Sequence, residues 1–238
     1  MGAVLAPVQF VIGDIATRAV FQNQPAKFAA MEIAWTTQSH NPEVVGGILR
    51  SDGTVILGMS IPSLDSLLAG FSPDTVVRGL TTFNVNDRPS VVDANFVHLA
   101  FDIMVGLGSV ACLLTLWYAV AWIRTRDLPR SPSFFRGAAL AGVGSYLAIE
   151  AGWVTTEVGR QPWIVYNLMR VSDAVNPVNP LYVWLMFSAL LVVYAVIAYF
   201  FLTGLMRLSA RWRLEDGGRR GQETLAPEES VPYGPRSV

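Results

Sequence analysis

Three stretches of the chain are apolar on every side of a helix rather than along one face: about Phe96 to Ile123, about Phe135 to Val158, and about Leu181 to Met206. A helix rises ~1.5 Å per residue and the hydrocarbon core of a bilayer is ~30 Å thick, so about 20 such residues cross it. Each stretch reaches that length and predicts a transmembrane helix. The span from Ile103 to Ile123 and the whole third stretch carry no charge, whereas the second is interrupted by Glu150 and Glu157. Met1 to Ile12 is apolar too, but twelve residues make only ~18 Å of helix, and Pro7 sits in the middle. The pattern predicts a partial helix there that needs a partner. A signal peptide fits less well: the basic start is missing, and Gly13-Asp14 stands where a small-residue cleavage site would lie.

Residues 13–95 read differently. Pro25 to Trp35 has a helical pattern, with Pro25 suited to a first helical position. Beyond it, the turn signals Ser51-Asp52-Gly53 and Asn86-Asp87-Arg88-Pro89 bracket short β-branched runs such as Thr54-Val55-Ile56-Leu57. Arginines crowd the short 124–136 connection and follow the last span at 207, 211, 213, 219 and 220, and basic residues near span ends stay cytoplasmic. Residues 13–95 and 159–180 are then outside and the C-terminus is cytoplasmic. From Glu215 onward the tail is rich in Gly, Pro, Glu and Arg and lacks an apolar period, which predicts disorder. The expected fold is an all-α, multi-pass integral membrane protein. It has a partial helix at 1–12, a loop domain on the outer face at 13–95, three full transmembrane helices over 96–208, and a disordered cytoplasmic tail at 209–238.

Composition sharpens this picture. The chain is 52% hydrophobic and 15% charged, against roughly 25% charged in ordinary soluble proteins. Seventeen basic and eighteen acidic residues give a net charge of -1, so no positive excess is available to hold nucleic acid. The single cysteine, Cys112, excludes an internal disulfide and a cysteine-rich metal site. Lys27 is the one lysine in the chain.

Several residues stand where apolar ones belong. A carboxylate inside an apolar helix costs at least ~2.5 kcal/mol on the insertion scale, so an intramembrane acid is a functional candidate. Glu150, Trp153 and Glu157 fall at i, i+3 and i+7 along one helix face, which is expected to look inward, and Arg160 follows Glu157 by three. This stripe is either a structural Glu157–Arg160 ion pair at the membrane boundary or a metal, heme or proton site. His98 is either an iron ligand or a boundary histidine bonded to Asp102. Met104 is by itself ordinary packing, since a thioether becomes a ligand only when heme iron is brought to it. The glycines at 106 and 108 make a narrow surface that another helix or a flat cofactor can approach. Lys27 and Glu32, five apart, point about 140° from each other on a helix and so do not form the usual surface pair. Phe28, Met31 and Trp35 form an apolar stripe that presses this helix onto the protein body or the membrane surface. The sharper alternative is a site for a small lipid molecule with a polar head.

The run GWVTTEVGRQPW at 152–163 and the run QPAKFAAME at 24–32 resemble subunit I of the cytochrome bd-type quinol oxidases. Gly13-Asp14, the extended QPAKFAAMEIAWTTQ, FDIMVGLG at 101–108 and WIVYNLMRVSDAV after GRQPW support the likeness in chain order. It covers nearly the whole chain except the tail and corresponds to the C-terminal half of that subunit.

The resemblance implies roles. Glu157 matches the carboxylate ligand of the high-spin heme b, Trp153 the tryptophan beside that heme, and Arg160 the arginine that follows. Met104 matches the methionine ligand of the low-spin heme b. Lys27 and Glu32 match the charged residues of the loop implicated in quinol oxidation. Protons from quinol are then released outside, while those consumed in reducing oxygen come from the cytoplasm, so charge separates without a pump. A methionine ligand favours reduced heme and an anionic carboxylate favours ferric heme, so the two irons differ in potential. The chain departs from the family at Asp102, where arginine is common, and it lacks the histidines that serve the low-spin heme and heme d.

The expected protein is accordingly half of a split subunit I of a quinol:oxygen oxidoreductase with hemes b and d, in a prokaryotic cell membrane. A second polypeptide supplies the N-terminal half, and subunit II-like chains, small membrane subunits and membrane lipids complete the assembly. The alternative is a redox-inactive membrane scaffold or accessory subunit of a bd-like complex.

Overall fold

The computed structural model of the chain describes residues 2–127, 129, 131–175 and 178–225. The chain divides into two units, 1–175 and 176–238.

The first unit opens with helix α1, Gly2–Asn23. It is 22 residues long, ~33 Å, and passes Pro7 and Gly13 without a break. The helix runs past the 1–12 stretch where a partial helix is expected, and Val4–Asn23 is long and apolar enough to cross a membrane. The helix carries its acid because Arg18, one turn on, forks onto Asp14 with bonds of 2.9 and 2.8 Å. A paired charge costs far less in apolar surroundings than a lone one.

After Gln24 the chain enters α2, Pro25–Met31. Pro25 takes the first helical position, where its missing N–H costs nothing. Every side chain from Ala26 to Met31 is buried, so the Phe28–Met31 stripe presses onto the protein body. The helix stops short of Trp35 because the backbone turns through Ile33 at φ +42°.

Strands β1, Glu43–Leu49, and β2, Val55–Ile61, form an antiparallel hairpin. In its turn the Asp52 carboxylate accepts from the Thr54 amide and hydroxyl. Gly53 there has φ +88°, and a Cβ would lie 2.2 Å from the Trp35 ring, so only glycine lets the indole pack on the turn. Helix α3, Leu64–Gly70, and short 3₁₀ turns at 80–82 and 85–87 lead to the long helices.

Helix α4, Val91–Thr125, starts at a capping box: Ser90 Oγ accepts from the Asp93 amide and the Asp93 carboxylate accepts from the Ser90 amide. Its 35 residues make ~52 Å, more than a bilayer needs. Its first turns bury Ala94, Val97, His98 and Ala100 against the loop region. Helix α5, Pro132–Gly159, returns antiparallel. Met104 faces Gly152, Leu107 faces Gly144, Leu114 faces Gly137, and Trp117 meets Phe134 edge-on. Glycine on α5 opposite a large side chain on α4 lets the two axes approach closely.

A second small hairpin follows, β3, Trp163–Val165, and β4, Met169–Arg170. The two hairpins qualify the all-α expectation: the unit is mostly helical. Its core gathers Phe28, Ala30, Met31, Leu49, Val77, Leu80 and Val97, from α2, β1, the loops and the start of α4.

The second unit is helix α6, Pro180–Leu225, of which Pro180–Trp212 is long and apolar enough to cross a membrane. The tail expected to be disordered from 209 is helical through Leu225, while 226–238 lie outside the described residues. Among the described residues three helices qualify as spans: α1, α4 and α6. Helix α5, the second expected span, has 28 residues and carries Arg136, Glu150 and Glu157.

Candidate functional site at the loop end of helix α5

Helix α5 buries Ala151, Thr155 and Gly159, spaced at i, i+4 and i+8. These small residues let it close on α4 and α2. Trp153, with 63% of its surface exposed, and Glu150 therefore turn away from the packed body, and Glu157 is half-buried. The expectation of an inward-looking stripe is corrected: within this chain the stripe is an uncovered face. At its end Glu157 forms an ion pair with Arg160 Nη2. Arg160 Nε is buried and has no acceptor among the described residues.

Lys27 lies against the same end. A Cβ on Gly159 would stand 3.2 Å from Lys27 Cγ and 3.3 Å from its Cε, so the lysine stem runs along the glycine. Burial pushes the Lys27 ammonium below its usual pKa; Arg160 adds to that and Glu157 opposes it. Beside these residues is a cavity of about 280 Å³ whose lining includes Gln24, Lys27, Asp87, Arg160, Trp163 and Tyr166.

Glu32 is elsewhere. Its carboxylate, 4% exposed, lies within 4.8 Å of those of Glu43 and Asp65, under the β1–β2 hairpin. Burial, then Glu43, Asp65 and Asp102, raises Glu32 well above the ordinary carboxylate range. Burial also raises Glu43, and takes Asp65 to about 7 although the Asn41 amide donates to it at 2.6 Å. The structure thus brings together Lys27, Glu157 and Arg160 and leaves Glu32 outside the cavity.

His98 is fully buried, with Nδ1 2.7 Å from the Met31 carbonyl and Nε2 2.9 Å from the Gly46 carbonyl. Both nitrogens are engaged, so the iron-ligand option is not met here. Asp102 stands 3.5 Å from His98 and accepts the Gly46 amide at 2.5 Å, which ties β1 to α4. The Met104 sulfur rests on Gly152, where a Cβ would be only 2.8 Å away. The sequence reading missed Glu43, Asp65 and Arg170; Arg170 alone had a signal, being inside the WIVYNLMRVSDAV run.

The residues present fit a heme. The orphaned Arg160 Nε is a donor awaiting an acceptor, Glu157 is open on one side, and Gly106 and Gly108 have nothing within 4 Å of a Cβ position.

The sequence model described as Cytochrome bd terminal oxidase subunit I matches residues 1–212. The chain belongs to that family. It is 30% identical over 209 residues to a Bacillus subtilis (strain 168) protein described as a cytochrome bd menaquinol oxidase subunit I, covering 84% of this chain and 46% of that protein. It is 27% identical over 175 residues to the cytochrome bd ubiquinol oxidase subunit 1 of the same organism, covering 69% and 37%. The structure of bd oxidase from Geobacillus thermodenitrificans superposes with a TM-score of 0.70 at 31% identity, covering 88% of this chain and 47% of that one. This bd subunit I chain therefore spans about half the length of the relatives it matches, and it shares their membrane fold.

Proposed function

We propose that the chain is half of the catalytic subunit I of a cytochrome bd-type quinol:oxygen oxidoreductase, acting with a second polypeptide that carries the N-terminal half. One observation carries the reading most: Glu157, an acid on an uncovered face of helix α5, is oriented by Arg160 beside a cavity reached by the sole lysine. In this reading Glu157 holds the iron of a high-spin heme b and Met104 that of a low-spin heme b, with Trp153 and Arg160 shaping the pocket. These hemes and a heme d, when bound, accept electrons singly and deliver them to oxygen, which is reduced to water. Lys27 presents a buried cation to a quinol oxygen in the cavity and favours its deprotonated form. Trp163 and Tyr166 offer flat apolar walls for the ring. Glu32, packed among acids, serves quinol oxidation as a proton acceptor rather than as part of the cavity wall.

The arginines at 124–136 and beyond 207 support a cytoplasmic C-terminus and an outer position for the 24–95 region. Quinol protons are then released outside the prokaryotic cell membrane and contribute to the proton motive force. Subunit II-like chains, small subunits and membrane lipids cover the exposed apolar faces of α4 and α5, at Ile103, Val110, Leu113, Leu140 and Val143. The test is co-expression with the neighbouring half, followed by quinol-dependent oxygen uptake and an optical spectrum of the purified complex. Uptake with heme absorption is expected; a pure complex without heme would establish the scaffold alternative.

A further inference from the structure

The cavity beside Lys27 has two walls far apart in the chain. One comes from Gln24, Lys27 and Asp87; the other from Arg160 at the end of α5, Trp163 on β3 and Tyr166 in the turn that follows. What joins them is concentrated at one side chain. Arg170, paired across the hairpin with Trp163, places Nη2 on the Asp87 carboxylate and donates from Nη1 to the Asn86 carbonyl at 3.0 Å. Its guanidinium also lies 4.7 Å from the Trp163 ring centroid, and the Trp163 indole N–H donates to the Asp87 carbonyl at 3.1 Å. Arg170 is itself fixed, since its amide donates to Asp173 at 3.0 Å and the next amide, Val171, donates to the Pro162 carbonyl at 3.0 Å.

We infer that Arg170 is a positioning residue for quinol. It straps the 163–170 hairpin to Asp87, and so sets the gap between Trp163 and Lys27 in which the quinol ring lies. Only a planar fork meets a carboxylate, a carbonyl and an indole face together; a lysine at this position keeps the charge and loses the geometry. The ion pair is one-third exposed on both sides, too open to contribute much to global stability. Its loss is therefore felt in the cavity. The inference rests on the reading of this cavity as the quinol site.

The experiment compares wild type, Arg170→Lys, Arg170→Ala and Asp87→Asn in the assembled membrane complex. Arg170→Ala is expected to raise the KM for quinol about tenfold while kcat changes less than about twofold. Its heme spectrum is expected to match wild type. Arg170→Lys should resemble Arg170→Ala, and amide exchange of the 163–170 hairpin should quicken at least about tenfold in both. An unchanged KM overturns the inference, as does a fall in kcat at constant KM, or a lost heme spectrum, which assigns Arg170 to the fold. Lys27→Ala in the same assay separates the parent reading: a wild-type KM and kcat there removes quinol from the cavity, while the hairpin exchange still reports on the strap.

Discussion

The stem of Lys27 lies along Gly159, with no side chain between them. This contact joins α2 to the end of α5 and sets the lysine beside the Glu157–Arg160 pair. A methyl group at 159 would stand 3.2 Å from both Lys27 Cγ and Val97 Cγ1, closer than ordinary contact. Gly159→Ala gains roughly 0.5–1 kcal/mol of helix propensity and loses about 1–3 kcal/mol to overpacking. The expected net is a complex destabilised by about 1 kcal/mol with the lysine displaced. Thermal melts read the first and quinol oxidation the second, which should fall more than stability does.

The three acids under the hairpin predict a pH dependence of local stability. Glu32 faces Glu43, Asp65 and Asp102; Glu43 faces Glu32, Asp102 and His98; Asp65 faces Glu43 and Asn41. All three folded pKa values lie above the unfolded ones, so the fold binds more protons and stability falls as pH rises. For Asp65 the loss runs from its unfolded value of 3.8 to about 7 and then levels. Amide exchange over 43–66, corrected for its intrinsic pH dependence, should be faster at pH 8 than at pH 5. Asp65→Asn should flatten that difference and stabilise the region at pH 8 by on the order of 1–2 kcal/mol.

Asp102 is a tether. Its carboxylate accepts the Gly46 amide and sits beside His98, which reaches the Gly46 carbonyl. Asp102→Ala leaves a partly buried amide without its acceptor, at a cost of about 1–3 kcal/mol. Exchange at Gly46 and its β1 neighbours should quicken, while α5 keeps its wild-type protection.

Much of this was legible in the residues. Long apolar runs predict membrane helices because nothing but length and charge decides the matter, and the separation of Lys27 from Glu32 follows from a five-residue spacing. Hidden features arose where a partner, near or far in sequence, is revealed only by the fold. The Gly13-Asp14 step reads as a break until Arg18 is seen to neutralise the acid, and the Glu150–Trp153–Glu157 stripe reads as inward until the small residues Ala151, Thr155 and Gly159 claim the packing face. Glu43 and Asp65 carry no motif; only the fold brings them to Glu32. Family likeness supplied the heme and quinol roles, which spacing alone left open between an ion pair and a cofactor site.

The central claim is that Glu157 holds heme iron, and a reduced-minus-oxidised optical spectrum of the purified complex tests it most directly. Glu157→Ala is expected to abolish the high-spin heme b absorption and to leave the low-spin heme b signal in place, with oxygen reduction lowered at least about 100-fold. A Glu157→Ala complex whose high-spin absorption equals that of wild type would contradict the account.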